Sequence, residues 1–292
     1  MGNGLHKSAA PGRWRALTVV ALVLAAACLL SIGLLKARDA WMVRGIPPGL
    51  PDAIPHGGAR PGVNVYLEGA TDAELRATVA DIRAAQIAIV KQSFYFRDAF
   101  DWAAADRLVE SLTAEELTLV PLLDGDPAAN FAPPDDPGAF AAWAGEFARR
   151  YGDRLTHYII WDEPNLTSHW GGRAVNPNEY AALLSAAATA IRANDPDAVI
   201  VAAPLAPTTE TGPDNLAETL YLSALYQAGA AASFDVVAAK PYGFDTGPDD
   251  REVSIDKLNF SRPILLREVM IANGDDHKAI WAGNWGWNSL PD

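Results

Sequence analysis

The chain has 292 residues, 50% of them apolar and 9% aromatic, a composition that builds a packed core and argues against a disordered polymer. Its 23 basic and 36 acidic residues leave a formal charge of -13 with no basic stripe, which argues against nucleic acid as a partner. The single cysteine, Cys28, rules out an intrachain disulfide and a thiolate metal site, and the histidines at 6, 56, 157, 169 and 277 show no ligand spacing. No metal or organic cofactor is expected, and nothing points to an oligomer.

The N-terminus reads as a membrane segment. Leu17 to Leu35 carries no charge and is flanked by Lys7, Arg13 and Arg15 before it and by Lys36 and Arg38 after it. The apolar run continues past Ala25, Ala26 and Ala27, which favours an uncleaved signal anchor over a shorter cleavable signal. The alternative is a lipoprotein signal cut before Cys28, since "LAAAC" is loosely like a lipobox. The expected organisation is a cytoplasmic tail (1–16), a single transmembrane anchor (17–35), a linker (36–61) and an extracytoplasmic domain (62–292). Basic residues flank both ends of the anchor, so this orientation is inferred from its N-terminal position. The linker contains "GIPPGLPDAIPHGGARPG", whose prolines and glycines sustain neither helix nor sheet.

From Gly62 onward strand and helix alternate. "VNVYLE", closed by Gly69, is strand-like, and Thr71 with Glu74 forms a capping box ahead of Leu75, Val79 and Ile82 at helical spacing. "IAIVKQSFYF" is the second strand, and Leu108, Val109 and Leu112 mark the next helix. "LTLVPLLDG" is the third, followed by Phe140, Trp143, Phe147 and Tyr151 on one helical face. "THYIIWDE" is the fourth, after which Asn176 and Pro177 open a helix carrying Tyr180, Leu184, Ala187 and Ile191. "AVIVAAPLAP", a helix from about Asn215 to Ala228, "DVVAAKPYGF", a helix from about Arg262 to Ala272, and "AIWAGNWGW" complete the series.

Continuous apolar strands that alternate with helices imply a parallel sheet covered on both faces. The natural closure is an α/β fold of the (β/α)8 TIM type, and the polar residues fall at the C-terminal strand ends, where such barrels carry their sites. An open doubly wound sheet is the alternative, weakened because no glycine-rich phosphate loop follows the first strand. The sequence ends at Asp292, soon after the seventh strand, so it reads as a barrel truncated before its eighth strand and helix.

Three segments, in order, carry a resemblance. "IIWDEPNL" resembles the W-N-E-P-N segment that ends the fourth strand of retaining glycoside hydrolases of clan A. "YLSALYQAGAAASFDVVAAKPYGF" resembles the segment leading into their sixth strand, which usually ends in a histidine, proline and tyrosine, and "IWAGNWGWN" resembles their seventh, W-x-x-E-x-G-W. The likeness spans most of residues 62 to 292 and is nearest in flavour to families 39 and 5. It implies a carbohydrate substrate and Glu163 as general acid/base, a role for which glycoside cleavage needs a protonated carboxyl beside the leaving oxygen. Asp162 would accept a hydrogen bond from a sugar hydroxyl, and its charge would favour a protonated Glu163.

The sequence departs from that pattern at four places. Asp162 replaces an asparagine, Lys91 stands where arginine is frequent, Lys240 replaces the histidine, and Asn284 occupies the position of the nucleophilic glutamate. A neutral amide cannot form the glycosyl ester of a double displacement. Three accounts stay open. Another strand-end carboxylate, Glu68, Asp124, Asp126 or Asp245, could act with Glu163 in a hydrolase. A 2-acetamido substrate could supply its own nucleophile, with Asp162 holding the acetamide and Glu163 as acid, as in N-acetylhexosaminidases. Or the barrel binds glycans without catalysis, stacking sugars on Trp161, Trp170, Tyr242, Trp285 and Trp287, with Asn165 nearby. Lys91 and Lys240, if they face one cleft, would suit an anionic sugar or neutralise Asp162; each pairing with a nearby barrel carboxylate is the equal alternative.

Overall fold

The computed structural model describes residues 11–42, 60–114, 117–248 and 250–287. Chain contacts separate two compact units, residues 1–44 and 45–292. The described residues of the first form one helix, α1 (Pro11–Met42), which extends on both sides of the span expected from the uncharged run and includes the start of the expected linker. The rest of that linker up to residue 59, and the tail before residue 11, lie outside the described residues.

The second unit is a sheet of seven parallel strands in sequence order, β1 (Gly62–Val65), β2 (Ile89–Tyr95), β3 (Thr118–Asp124), β4 (His157–Ile160), β5 (Val199–Ala202), β6 (Val236–Ala239) and β7 (Ala279–Ala282). The helices between them are α2 (Asp72–Ala84), α3 (Trp102–Thr113), α4 (Pro137–Tyr151), α5 (Pro177–Asn194), α6 (Glu218–Gln227) and α7 (Pro263–Ala272). Neighbours in sequence are neighbours in the sheet, so the sheet curls in one direction as a TIM-type barrel does. Among the described residues β1 and β7 are edges, not partners.

Local chemistry sets the element boundaries. Thr71 caps α2 through the reciprocal box with Glu74 that the sequence pattern implied, and Asn176 caps α5 with Pro177 as its first helical residue. Asp101, Asp126 and Asp136 each accept a backbone N–H at the start of the following helical segment. The helix expected from Asn215 begins later, at Glu218, because residues 213–217 are engaged in loop bonds to Glu210, Asn165, Thr167 and Val175 instead.

The sheet has two apolar sides, as its continuous strands require. Helix-side residues such as Val90, Leu119, Leu123, Ile160 and Ile200 join the helices in the large core. A smaller cluster of Val120, Leu122, Ile159, Val201, Val236 and Ala238 fills the barrel interior, with Ile89, Val199 and Trp281 packed on it. Side chains alternate along a strand, so the same interior face of β2 carries Lys91, Ser93 and Tyr95, and that of β3 ends in Asp124. Tyr180 ties the tops of β4 and β5 together: its hydroxyl donates to Ile160 O at 2.8 Å and accepts from Ala203 N at 2.7 Å.

Candidate functional site

The polar residues gather beyond the C-terminal ends of the strands, and the turn after β4 shows how. Alternation alone would point Trp161 into the barrel beside Ile159. Its φ of 71° breaks the strand instead and turns the indole into the helix-side core, against Phe140 and Trp170. Glu163 also has a positive φ, 45°. Left-handed conformations at bulky residues cost about 1–3 kcal/mol each and persist where the surroundings enforce them. Here Trp161 N–H donates to Leu123 O at 2.8 Å and Glu163 N–H to Pro204 O at 3.2 Å. Gly125 provides the room, since a Cβ there would lie 2.7 Å from the Trp161 ring. The result is a turn that buries the tryptophan and leaves Asp162 and Glu163 together at the barrel mouth.

Lys240, directly after β6, closes on this pair. Its Nζ donates to Glu163 Oε1 at 2.8 Å and to Asp162 Oδ2 at 2.9 Å, and lies 2.8 Å from Asp162 Oδ1, which itself receives no hydrogen bond. The lysine side chain is 4% exposed. Burial alone would push its pKa down, but the combined charges and hydrogen bonds of Asp162 and Glu163 outweigh that and hold it above the ordinary value. On the other side of Glu163, His169 Nδ1 is 3.5 Å from Oε2, and its ring is stacked on Phe131. One ligand atom each from Asp162, Glu163 and His169 lie within 4.8 Å of one another, a spacing a metal could use. The cation among them here is the Lys240 ammonium, which a metal would have to displace.

Lys91 forms the second polar cluster. Its Nζ donates to Asn284 Oδ1 at 2.8 Å and to Gly283 O at 3.1 Å, linking β2 to the segment after β7. Burial, with a smaller contribution from the Lys240 charge and against the opposing pull of Asp162, lowers its pKa to about 8. Asp124 is buried at the end of β3 and accepts the Gly125 N–H at 2.9 Å. Burial, then the charge of Asp162, pushes its carboxyl well above the usual range. Lys91, Asp124, Asp162 and Asn284 line a cavity of about 120 Å3 together with Asn64, Ser93, Tyr95 and His169. A separate aromatic cleft of about 410 Å3 is formed by Tyr242, Phe244, Trp285, Gly286 and Trp287.

No family model matches the chain, and no curated protein matches it in sequence. Solved structures do match. A glucosidase from Croceicoccus marinus superposes with a TM-score of 0.57 at 18% identity, the alignment covering 73% of this chain. A glycosylated endo-beta-1,4-xylanase of glycoside hydrolase family 10 from Gloeophyllum trabeum matches with a TM-score of 0.51 at 12% identity, covering 79% of this chain and 73% of the xylanase. The fold is the TIM-type barrel that these glycoside hydrolases share. The chain spans 48% of the glucosidase's length.

Within this barrel the expected residues separate into groups. Glu163, Asp162 and Lys240 meet, as do Lys91 and Asn284. Tyr242, Trp285 and Trp287 share the aromatic cleft, with Trp285 57% exposed. Three expected sugar contacts are structural instead. Trp161 and Trp170 are fully buried and offer no face for stacking. Asn165 is also fully buried, and its side chain bonds Ala206 N, Ala206 O and Leu216 O, clamping the loop after β5. Of the four alternative carboxylates only Asp124 lines the cavity; Glu68 and Asp126 pair with Arg97, and Asp245 is exposed. Sequence reasoning passed over Ser93 and Tyr95, which the alternation from Lys91 would have found, and His169, for which six residues of loop after Glu163 carry no signal.

Proposed function

We propose that this glycosidase barrel binds carbohydrate and does not perform the two-carboxylate double displacement. One observation carries the reading: where the resemblance puts the nucleophile, Asn284 presents an amide whose oxygen accepts a hydrogen bond from Lys91 at 2.8 Å. An amide there forms no glycosyl ester. The acid/base candidate Glu163 is held on Oε1 by Lys240, which must be displaced before that oxygen can serve a leaving group. Binding needs neither carboxylate free. A polar cavity beside an exposed aromatic cleft has the mixture of hydrogen-bonding groups and flat apolar faces that sugar rings use. The barrel acts at a membrane surface in this reading, because Trp14–Arg38 is long and apolar enough to cross a bilayer.

The test is calorimetric titration of the full chain in detergent micelles with neutral and acidic oligosaccharides, beside hydrolysis of an aryl glycoside panel by the same protein and its Glu163→Gln variant. Binding with no turnover by either protein supports the reading. Turnover that disappears in the variant overturns it.

A second reading is favoured by Asp162 beside Glu163, whose buried Oδ1 accepts no hydrogen bond and is held only by ion pairing with the Lys240 ammonium at 2.8 Å, a contact a ligand would have to open. That oxygen could take the N–H of a 2-acetamido group while Glu163 acts as acid, making the protein a substrate-assisted N-acetylhexosaminidase. Turnover confined to the aryl N-acetylhexosaminides of the panel would select it.

A further inference from the structure

Lys91 is a half-buried amine on the wall of the polar cavity. Lys240, Lys257 and Lys278 are each held by carboxylates. Lys91 instead donates to two neutral acceptors, Asn284 Oδ1 and Gly283 O, and its side chain borders the 120 Å3 cavity. Asp124 borders the same cavity from the neighbouring strand, and Ser93 and Tyr95 stand above Lys91 on the shared interior face. An amine nucleophile and a buried carboxyl facing one small polar chamber are the parts that condensation with a carbonyl group requires.

We propose that Lys91 forms an imine with a free aldehyde in this cavity, with Asp124 as the proton donor. The proposal does not rest on the glycan-binding reading. The Lys91 nitrogen lone pair attacks the carbonyl carbon, and the carbonyl oxygen takes a proton to give a carbinolamine. The nitrogen, cationic after the attack, passes one of its protons to that hydroxyl, the C–O bond breaks as water leaves, and the nitrogen lone pair so freed forms the C=N bond. In balance, a neutral lysine, a neutral aspartic acid and an aldehyde give a protonated imine, an aspartate and one water. No oxidant or reductant is consumed. Burial in the first place, and the Lys240 charge, bring Lys91 to a pKa of about 8 against the pull of Asp162, Asp124 and Glu163, so a useful fraction is the neutral amine near that pH. Burial and the Asp162 charge keep Asp124 protonated above the ordinary carboxylate range. The remaining titratable groups on the cavity wall are Tyr66, Tyr95 and His169.

The experiment is reductive trapping on the full chain in detergent micelles, with glycolaldehyde and sodium cyanoborohydride between pH 6 and 9, read as adduct mass on each lysine peptide. Lys36 and Lys257 serve as references within the same molecule. The expected result is labelling of Lys91 at least tenfold faster than both, rising as pH passes through about 8. A smaller ratio overturns the proposal. Lys91→Arg is expected to lose the adduct on that peptide, with folding followed by circular dichroism. Asp124→Asn is expected to slow trapping at Lys91 at least fivefold, and an unchanged rate overturns the role given to Asp124. Parallel trapping with cellobiose and xylose separates the sources of the aldehyde. Labelling by glycolaldehyde alone assigns the site to small aldehydes, and labelling by the sugars as well assigns it to reducing ends.

Discussion

Lys240 Nζ lies 2.8 Å from both Asp162 Oδ1 and Glu163 Oε1, so a cation delivered by β6 neutralises the acidic pair delivered by β4. Two adjacent carboxylates at a barrel mouth repel each other, and the buried ammonium between them is what makes the turn tolerable. Removing one partner of such a cluster leaves charge buried without compensation.

Lys240→Met is therefore expected to destabilise the protein by about 3–5 kcal/mol at neutral pH, measured by urea unfolding. In the wild type, Lys240 has a folded pKa above its ordinary 10.5, so its contribution is whole below that pH and is lost as pH rises through the folded value. Lys240→Arg keeps the charge and should recover part of the stability.

The pairing of Lys91 with an amide makes a second prediction. Because the Lys91 pKa is lowered from 10.5 to about 8, the unfolded chain holds a proton in that window that the folded chain has released. This group therefore makes stability climb with pH between those values, by roughly 3 kcal/mol, and imposes its full penalty below about 8. Asn284→Glu supplies a carboxylate partner and should abolish the climb, seen as the difference between variant and wild-type unfolding at pH 7.5 and 10. The same variant restores a carboxylate where the resemblance expects the nucleophile. Slow aryl glycoside hydrolysis by Asn284→Glu, absent from the wild type, is the expected gain.

Asp124 runs in the opposite sense. A carboxyl whose folded pKa is raised stabilises the fold while protonated and loses that contribution as pH rises through the folded value. Asp124→Asn retains an oxygen to accept the Gly125 N–H and carries no titrating proton. At pH 8 it should be at least as stable as the wild type, with any gain about 1.4 kcal/mol for each tenfold change in proton affinity. Differential unfolding at pH 5 and 8 checks it, the gain growing toward the higher pH.

The fold was readable because parallel strands buried on both faces are continuous apolar runs, and all seven were visible as such between Gly62 and Ala282. The arrival of Asp162 and Glu163 at the barrel mouth was readable from their place at a strand end. The fate of Trp161 was not, because a positive φ at a bulky residue leaves no mark in composition or spacing. Nor was the work of Asn165, whose three bonds reach residues 41 and 51 positions away. The lysines were recognised as out of pattern and Asp162 as a carboxylate they could neutralise, which Lys240 does, but the contacts to Glu163 and Asn284 were not assigned. Lys240 meets Glu163 across 77 residues, and Lys91 meets Asn284 across 193. Contacts of that range follow from the order of strands round the barrel and from how far each side chain reaches, and only the first is written in a periodicity.

The aromatic cleft yields the last prediction. Trp287 is stacked on Phe260 with ring centroids 4.6 Å apart, and its Nε1 donates to Thr246 O at 3.0 Å. That placement depends on Gly243, since a Cβ at residue 243 would fall inside the Trp287 indole. Gly243→Ala must therefore expel Trp287 from its stack, an arrangement worth about 0.5–1.5 kcal/mol beyond the area it buries. Because Trp287 is 38% exposed, the change should leave the core intact and shift the unfolding free energy by no more than about 1 kcal/mol. Glycan affinity should fall about tenfold, with a red shift of tryptophan emission as the indole enters water. Phe260→Ala, which removes the stacking partner without forcing Trp287 out, should weaken binding in the same direction and by less. If Gly243→Ala unstacks Trp287, as emission would report, and yet binds glycans as tightly as the wild type, the aromatic cleft is not where sugars dock and the cavity at Lys91 and Asp162 must hold them alone.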